Sequence, residues 1–259
     1  MLFSLTALID SGFSDGKAAA GKVVDAMKIL KKAGYKTNTY LPLCAYALEK
    51  NSESPEDYTK IPERGLELFK IMKKNHPILT SREDYLLSLL MALVPGRTAG
   101  ESGFKMEENY KALNDAGFMK GNQLQFMSHI LTLDKGDAQI KAGKCAEIRK
   151  YLKENKIRVS SYGDGSLALL TILSMKSMDA VEKVVEYSQT LRKTKGFRTI
   201  GKYERLLHAT ALTGHELSAD SNFEMITGLT VQTLLLAQQI AIMAAIVVVC
   251  ASSSASAAS

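Results

Sequence analysis

The chain has 259 residues, a formal net charge of +6 and a pI near 9.0. Its length suffices to bury a sizeable core, and five prolines with no tryptophan suit a helical protein. No run of alternating β-branched residues lies between turn signals, which argues against strands. The three cysteines (Cys44, Cys145 and Cys250) are widely spaced and form no CxxC pair, so they indicate reduced core thiols of a cytoplasmic protein rather than disulfides or zinc ligands.

Residues 1–12, MLFSLTALIDSG, lack the basic start of a secretory signal. Their apolar pattern resembles that of the second helix of a helix pair whose first helix is missing. We therefore expect the N-terminus to begin within a repeat, as in a shortened chain, and to leave an apolar face uncovered.

Apolar anchors then recur about every 40 residues, at Leu30, Met72, Leu113, Leu152 and Leu191. This spacing is typical of paired-helix arrays. We predict an all-α fold of about five stacked antiparallel helix pairs, an α-solenoid that forms a single domain over 1–251. The expected repeats span 18–48, 64–93, 107–133, 145–173 and 180–213.

Turn signals separate the two helices of each pair. Gly117 is a predicted left-handed helix stop, and Ser81 lies three residues before Asp84, at capping-box spacing. Helix-start residues occupy equivalent positions in four repeats, namely Thr39, Asp84, Asn122 and Asp164. Polar or glycine-rich stretches at 50–62 and 94–103 are predicted connectors, and the second contains no phosphate-binding GxxxxGK(S/T) pattern.

The C-terminal segment 226–251 is long and uncharged enough to cross a bilayer. It contains three glutamines (Gln232, Gln238 and Gln239), lacks a basic flank and follows an acidic one. We predict a final helix packed in the core, followed by a disordered Ala/Ser tail at 252–259. Membrane contact is not expected, and this segment is its only candidate.

Basic residues gather where the first helices of the pairs end. Cations at these positions complement the helix dipole, which is the simpler interpretation. The alternative is a continuous edge that binds nucleic acid or another polyanion. Its members would be Lys31, Lys74, Lys153, Lys156, Arg158, Lys193, Lys195 and Arg198.

The second helix of repeat three differs from the strongly apolar second helices elsewhere. One side carries the uncharged polar residues Asn122, Gln125, Ser128, His129 and Thr132. A solvated face would normally include lysine or glutamate, so we expect this strip to be packed or to line a cleft. The first interpretation is a structural hydrogen-bond network; the second is a small-molecule or peptide pocket of Asn122, Gln125, Ser128 and His129, with Asp84 nearby.

Metal binding has weak support in the sequence. Glu204 and His208 have the i,i+4 spacing of two ligands on a helix, but two ligands do not make a site. No serine, histidine and acid trio has a recognisable nucleophile context. We expect no metal and no cofactor.

Two stretches, HPILTSREDYLLSLLMAL and GFMKGNQLQFMSHIL, together with the apolar C-terminal end and its Ala/Ser tail, resemble an uncharacterised bacterial family, domain of unknown function 4003. The resemblance covers nearly the whole chain and implies a longer N-terminus. It implies no activity, substrate or cofactor. The motif positions that it implies are His76, Pro77, Thr80, Asp84, Gly121, Asn122, Leu124, Gln125, Ser128 and His129.

We therefore expect a cytoplasmic, non-catalytic scaffold that binds a protein or peptide. Polyanion binding through the basic turns is one alternative. A small-molecule or metal site around His129 is the other.

Overall fold

The structure is a computed structural model, and it describes residues 5–6, 9–10, 13–94, 96–157, 159, 163–176 and 179–217. These residues form ten α-helices and contain no strand, which confirms the all-α prediction. The helices are α1 (Gly16–Ala33), α2 (Leu41–Asn51), α3 (Asp57–Asn75), α4 (Tyr85–Leu93), α5 (Ala99–Asp115), α6 (Asn122–Thr132), α7 (Ala138–Glu154), α8 (Asp164–Lys176), α9 (Ala180–Lys193) and α10 (Lys202–Leu217).

Helices that follow one another pack together as pairs: α1 with α2, α3 with α4, α5 with α6, α7 with α8, and α9 with α10. Odd-numbered helices also contact one another in the order α1, α3, α5, α7. Even-numbered helices do the same in the order α2, α4, α6, α8, α10. Each of α3 to α6 therefore packs against its own partner and against a helix of each neighbouring pair.

The even-numbered helices supply much of the core. The apolar helices α2 and α4 are buried along nearly their whole length, and most of α8 is buried as well. This agrees with their lack of a polar face, since a helix that is apolar all round must be covered on every side. Cys44 on α2 and Cys145 on α7 are buried free thiols, as predicted.

Local sequence signals explain several helix ends. Gly34 and Gly117 adopt φ values of 118° and 87°, which a side chain disfavours, and they end α1 and α5. The predicted capping box is also present: Ser81 accepts from the amide of Glu83, and the Asp84 carboxylate accepts from the amide of Ser81 at 2.8 Å. This box opens the short 3₁₀ turn Arg82–Asp84 that leads into α4.

The predicted connectors at 50–62 and 94–103 are shorter in the structure, because α3 and α5 start within them. In α3, Asp57 accepts hydrogen bonds from the amides of Glu53 and Ser54, and Pro62 is accommodated inside the helix. In α5, the Thr98 and Glu101 side chains form a reciprocal capping box that overrides the low helix propensity of the glycines.

Several expectations concern residues outside the described ranges. The final helix 226–251, the tail 252–259, Cys250 and Arg158 all lie there. Of residues 1–12, only Leu5, Thr6, Ile9 and Asp10 are described, in helical conformation. Among the helices of the described ranges, none combines the length and the apolar character needed to cross a bilayer.

Candidate functional site

The polar strip predicted on the helix 122–132 lies on α6. Gly121, with φ of 142°, precedes this helix, and Asn122 makes no side-chain cap, contrary to expectation. Asn122 is exposed, because it occupies the first position of the helix, whereas Gln125, Ser128 and His129 are buried. The structure therefore brings three of the four predicted pocket residues of this helix together and leaves Asn122 outside.

Gln125 connects α6 to the loop after α3 through a hydrogen bond. Its Nε2 donates a hydrogen bond of 2.8 Å to Oγ1 of Thr80, which in turn donates to the Met72 carbonyl at 3.0 Å. Ser128 Oγ donates to the Gln125 carbonyl at 2.7 Å within the helix. The network thus crosses from α6 to the C-terminal end of α3.

Thr132 extends the strip toward α5. Its Oγ1 donates to the Ser128 carbonyl at 2.7 Å and accepts from Nδ2 of Asn109 at 2.9 Å. All three residues are buried. These contacts are interhelical and intrahelical hydrogen bonds of the kind that satisfies buried polar groups.

Asp84 and His129 face one another, with 3.8 Å between Oδ1 and Nδ1. Burial raises the pKa of Asp84 to about 6. Burial, and then the neighbouring His76, lowers the pKa of His129 to about 3. His129 is only 2% exposed and its Nδ1 has no hydrogen-bond partner, so desolvation favours the neutral form of both groups.

Tyr40, at the start of α2, adds a third buried polar group near Asp84. Its hydroxyl has no hydrogen-bond partner, and burial, followed by the charges of Glu83 and Asp84, raises its pKa. No sequence pattern indicates this position, because a tyrosine next to an apolar helix carries no signal of where it lies in space.

His76 lies on the outer side of this group. Its Nε2 is 3.0 Å from Oε1 of Glu107 on α5, and its ring packs against Tyr110 with 4.6 Å between centroids. Asn75 donates to the same Glu107 oxygen at 3.2 Å. These contacts join the C-terminal end of α3 to α5.

Asp84 and His129 are too far apart for a hydrogen bond, and the other buried polar residues of the strip make hydrogen bonds within α6 or to neighbouring segments. Within the described residues, no three His, Cys, Asp or Glu side chains converge as metal ligands. Glu204 and His208, the suggested pair on α10, have other contacts: Glu204 accepts from the amide of Gly201, and the His208 ring packs edge-on against Phe197.

Two cations from other segments donate hydrogen bonds to the C-terminus of α6, and no sequence pattern indicates either of them. Nζ of Lys141, a residue only 1% exposed, donates to the carbonyls of Leu131 and Asp134 at 2.7 and 3.2 Å. Arg97 donates to the carbonyls of Thr132 and Asp134. Burial lowers the pKa of Lys141 to about 8. Both cations satisfy carbonyls that the end of a helix leaves unpaired.

The first four loops after the odd-numbered helices (34–40, 76–84, 116–121 and the described residues of 155–163) each contact the next helix pair, and we call these loops and the fifth, 194–201, the loop edge. Asn38 donates to the Arg82 carbonyl, which joins the first loop to the second. Gln125 joins the second loop to α6, directly after the third loop.

The loop edge continues through the later pairs. Phe118, in the third loop, packs beneath the guanidinium of Arg149 on α7, 3.7 Å from the ring centroid. At the end of the fourth loop, a Cβ added to Gly163 would lie 3.3 Å from the ring of Tyr203 on α10. The third and fourth loops thus lie against helices of the next pair.

The described members of the predicted polyanion edge (Lys31, Lys74, Lys153, Lys156, Lys193, Lys195 and Arg198) are all exposed and lie in these loops or in the helix turn before them. Further exposed cations at the same edge are Lys32, Lys36, Lys73, Arg82, Lys120, Arg192 and Lys202, against the exposed acids Glu83, Asp115 and Glu154. In the loops at the other helix ends and the helix turns beside them, the balance is reversed: among the described residues the exposed acids are Asp15, Glu53, Glu56, Glu101, Asp137, Asp179, Glu182 and Glu216, and the exposed cations are Lys17, Lys50, Lys60 and Lys135.

A cavity of about 300 Å³ lies elsewhere, between α7 and the start of α9. Ile148, Tyr151 and Val181 form its apolar wall, and Lys144, Glu147 and Glu182 lie among its polar lining residues. The cavity shares no residue with the polar strip of α6.

Comparison with known proteins identifies a family whose function is unknown. A family model described as protein of unknown function (DUF4003) matches residues 1–250. The uncharacterized protein YeaA of Bacillus subtilis (strain 168) is 27% identical over 263 residues, which cover 97% of this chain and 75% of that protein. No solved structure matches the chain.

Proposed function

The chain belongs to the DUF4003 family of proteins of unknown function, and we propose that it is a non-catalytic helical-repeat protein that binds an anionic surface through its loop edge. The observation that carries the proposal is the excess of exposed cations on the loop edge, whose loops contact successive helix pairs. A row of cations on adjoining loops provides one extended surface of positive potential.

Helix dipoles account for only part of this charge. Lys31, Lys74, Lys153 and Lys193 lie in last helical turns, where a cation stabilises the helix. Six further exposed cations (Lys36, Arg82, Lys120, Lys156, Lys195 and Arg198) lie outside the α-helices, in the loops themselves. The third loop is informative, because α5 has no basic residue in its last turn and Lys120 supplies the cation there instead.

The proposal includes the stacked arrangement expected from the sequence. Odd-numbered helices α1 to α7 contact one another in order, as do the even-numbered helices. An α-solenoid has this contact pattern, and it repeats equivalent loops along one edge. Buried free thiols at Cys44 and Cys145 support a cytoplasmic location.

In this proposal the polar strip of α6 is structural. Gln125, Ser128 and Thr132 are buried and make hydrogen bonds within or between helices. The strip holds the second loop against α6 and so fixes the position of part of the loop edge. A ligand site around His129 has less support, because its predicted partner Asn122 lies outside the buried group.

Binding of fluorescent heparin, a soluble polyanion, tests the proposal. We expect binding that weakens steeply as salt rises. The triple variant Lys74→Gln, Lys120→Gln and Lys195→Gln should bind about tenfold more weakly, with a smaller salt dependence, because counterion release scales with the number of anionic groups contacted.

A matched variant removes three exposed cations away from the loop edge, with Lys17→Gln, Lys70→Gln and Lys135→Gln. It changes the net charge by the same amount, so it distinguishes the contribution of the loop edge to binding from that of the overall charge. Equal loss of heparin binding in both triple variants would contradict the proposal, as would absence of binding by the unmodified chain at low salt.

The protein or peptide scaffold expected from the sequence is the second candidate. The cavity beside α7 favours it, because Ile148, Tyr151 and Val181 form an apolar wall that could take one or two side chains of a peptide. Val181→Asp would abolish such binding and leave heparin binding unchanged, which distinguishes the two candidates in one protein.

A further inference from the structure

Resting on the proposed function, we infer that the anionic surface is a phospholipid bilayer, and that Ile78 and Met119 enter its headgroup region when the loop edge docks. Such binding combines the burial of apolar side chains with attraction between cations and anionic lipids.

Two loop residues expose apolar side chains to an unusual degree. Ile78 is 94% exposed and Met119 is 81% exposed, and these are the highest values for large apolar side chains in the described residues. Ile78 lies in the second loop of the loop edge and Met119 in the third. Neither side chain contributes to the core, so the folded chain alone gives no reason for an apolar residue at these positions.

The two residues project from the same edge, because α3 and α5 run in the same direction. Ile71 lies against Gly103, where an added Cβ would be 2.5 Å from its Cγ2. Farther along both helices, His76 packs against Tyr110. Positions later in α3 therefore meet positions later in α5, and the loops that follow leave the helices on one side.

Buried neighbours hold both loops in place. Thr80, two residues after Ile78, is buried and bonded to Gln125 and to the Met72 carbonyl. Phe118, directly before Met119, is buried beneath the guanidinium of Arg149. Each apolar side chain is therefore presented by a loop that is attached to the core next to it.

Exposed cations accompany both side chains. Lys74 and Arg82 lie within four residues of Ile78, and Lys120 follows Met119 directly. A nucleic acid would engage these cations through its phosphates but would leave an isoleucine and a methionine without a matching apolar contact. A bilayer surface offers phosphates to the cations and acyl chains to the apolar side chains, so it accounts for both features.

A tryptophan reporter tests this inference directly, since the chain has no tryptophan of its own. In the full chain carrying Met119→Trp, vesicles of phosphatidylcholine with phosphatidylglycerol should shift the emission to shorter wavelength, and brominated acyl chains should quench it. Heparin should leave the wavelength unchanged. The control Phe104→Trp replaces an exposed residue of α5 outside the loop edge, and vesicles should not shift its emission.

A second pair of variants avoids the bulk of tryptophan. Ile78→Ser with Met119→Ser should reduce vesicle binding about tenfold in sedimentation, because burial of both apolar side chains is lost. It should leave heparin binding unchanged. Phe104→Ser with Ile140→Ser removes two other exposed apolar residues and should bind vesicles as the unmodified chain does. Thermal melting verifies that all variants fold.

The outcomes separate this inference from the proposed function. Binding to heparin without a wavelength shift on vesicles, or equal vesicle binding by the Ile78 and Met119 serine variant, overturns the lipid inference and leaves the proposed function standing. Failure to bind both heparin and vesicles overturns both. Charge-dependent vesicle binding with a shift at Met119→Trp supports both.

Discussion

Gln125 and Thr80, 45 positions apart in the chain, are joined by a buried hydrogen bond of 2.8 Å that holds the loop after α3 against α6. This contact fixes the second loop of the loop edge relative to the helix that follows the third loop. It therefore sets the relative positions of two neighbouring parts of the cationic surface.

Replacing Gln125 should weaken the fold. We expect Gln125→Ala to lower the free energy of unfolding by about 1–3 kcal/mol, since it removes a buried hydrogen bond and side-chain packing. Asn122→Ala on the same helix should change it little, because Asn122 is exposed. Urea denaturation measures both. A loss in Asn122→Ala as large as that in Gln125→Ala would contradict this account of the strip.

Opposite pH dependences are expected from Asp84 and His129. Between about pH 4 and 6, the folded state holds a proton on Asp84 that the unfolded state has lost, so this group makes stability fall as pH rises. Between about pH 3 and 6.5, the unfolded state holds a proton on His129 that the folded state lacks, so this group makes stability rise with pH.

The two contributions offset each other from about pH 4 to 6, and single variants separate them. Relative to the unmodified chain, Asp84→Asn should become more stable as pH rises through this window, and His129→Gln should become less stable. Each slope approaches about 1.4 kcal/mol per pH unit at most. Urea denaturation at a series of pH values measures the slopes, and slopes of the same sign in both variants would contradict the assignment.

The histidine itself gives an independent measurement. The His129 proton NMR signal should not titrate between pH 5 and 8, because burial holds its pKa near 3. A titration midpoint near the ordinary histidine pKa would mean that solvent reaches the ring, and it would revive the interpretation of the strip as an open pocket.

At Gly65, α3 closely approaches the loop after α1. A Cβ on Gly65 would overlap the Tyr35 hydroxyl and lie 3.3 Å from Cδ1 of Leu89. Gly65→Ala should therefore cost about 1–3 kcal/mol of stability through overpacking. Gly143→Ala, in the interior of α7 with nothing within 4 Å of the new Cβ, should instead stabilise by about 0.5–1 kcal/mol. Thermal melting distinguishes a loss from a gain.

The buried ammonium of Lys141 also makes a testable contribution. Lys141→Met keeps an unbranched side chain but removes the donor to the Leu131 carbonyl, so we expect a loss of about 1–3 kcal/mol. Lys144→Met, three residues later on α7, removes a surface ion pair with Glu147 and should have no measurable effect. Equal stabilities of the two variants in urea would show that Lys141 is not needed at the end of α6.

Structural features that depend on a few neighbouring residues were predictable. The helix stop at Gly117 and the capping box of Ser81 and Asp84 depend on neighbouring backbone groups, and the sequence displays both partners together. The burial of α2, α4 and most of α8 followed from their lack of a polar face. The prediction that Asn122 caps α6 was wrong, because Gly121 occupies the N-cap position and the Asn122 side chain is exposed to solvent.

Contacts between distant segments were not predictable from a single sequence. Nothing near Tyr35 indicates that its ring meets Gly65, and nothing near Lys141 indicates that it is buried, since lysine is usually exposed. Likewise, the sequence HPILT reads as an ordinary turn, and only the fold shows that Ile78 remains in solvent. The predicted start of α3 at residue 64 was too late. Proline usually lies at or outside the first helical turn, whereas Pro62 lies inside α3.

The two cations at the end of α6 have a consequence for cooperativity. Arg97 comes from the connection before α5, and Lys141 comes from α7, which belongs to the next pair. The C-terminus of α6 is therefore completed only when the segments on both sides are folded. Because α5 and α6 also pack against helices of both neighbouring pairs, the pair formed by α5 and α6 should not persist as an excised fragment. We expect the middle of the chain to unfold together with its neighbours in a single transition.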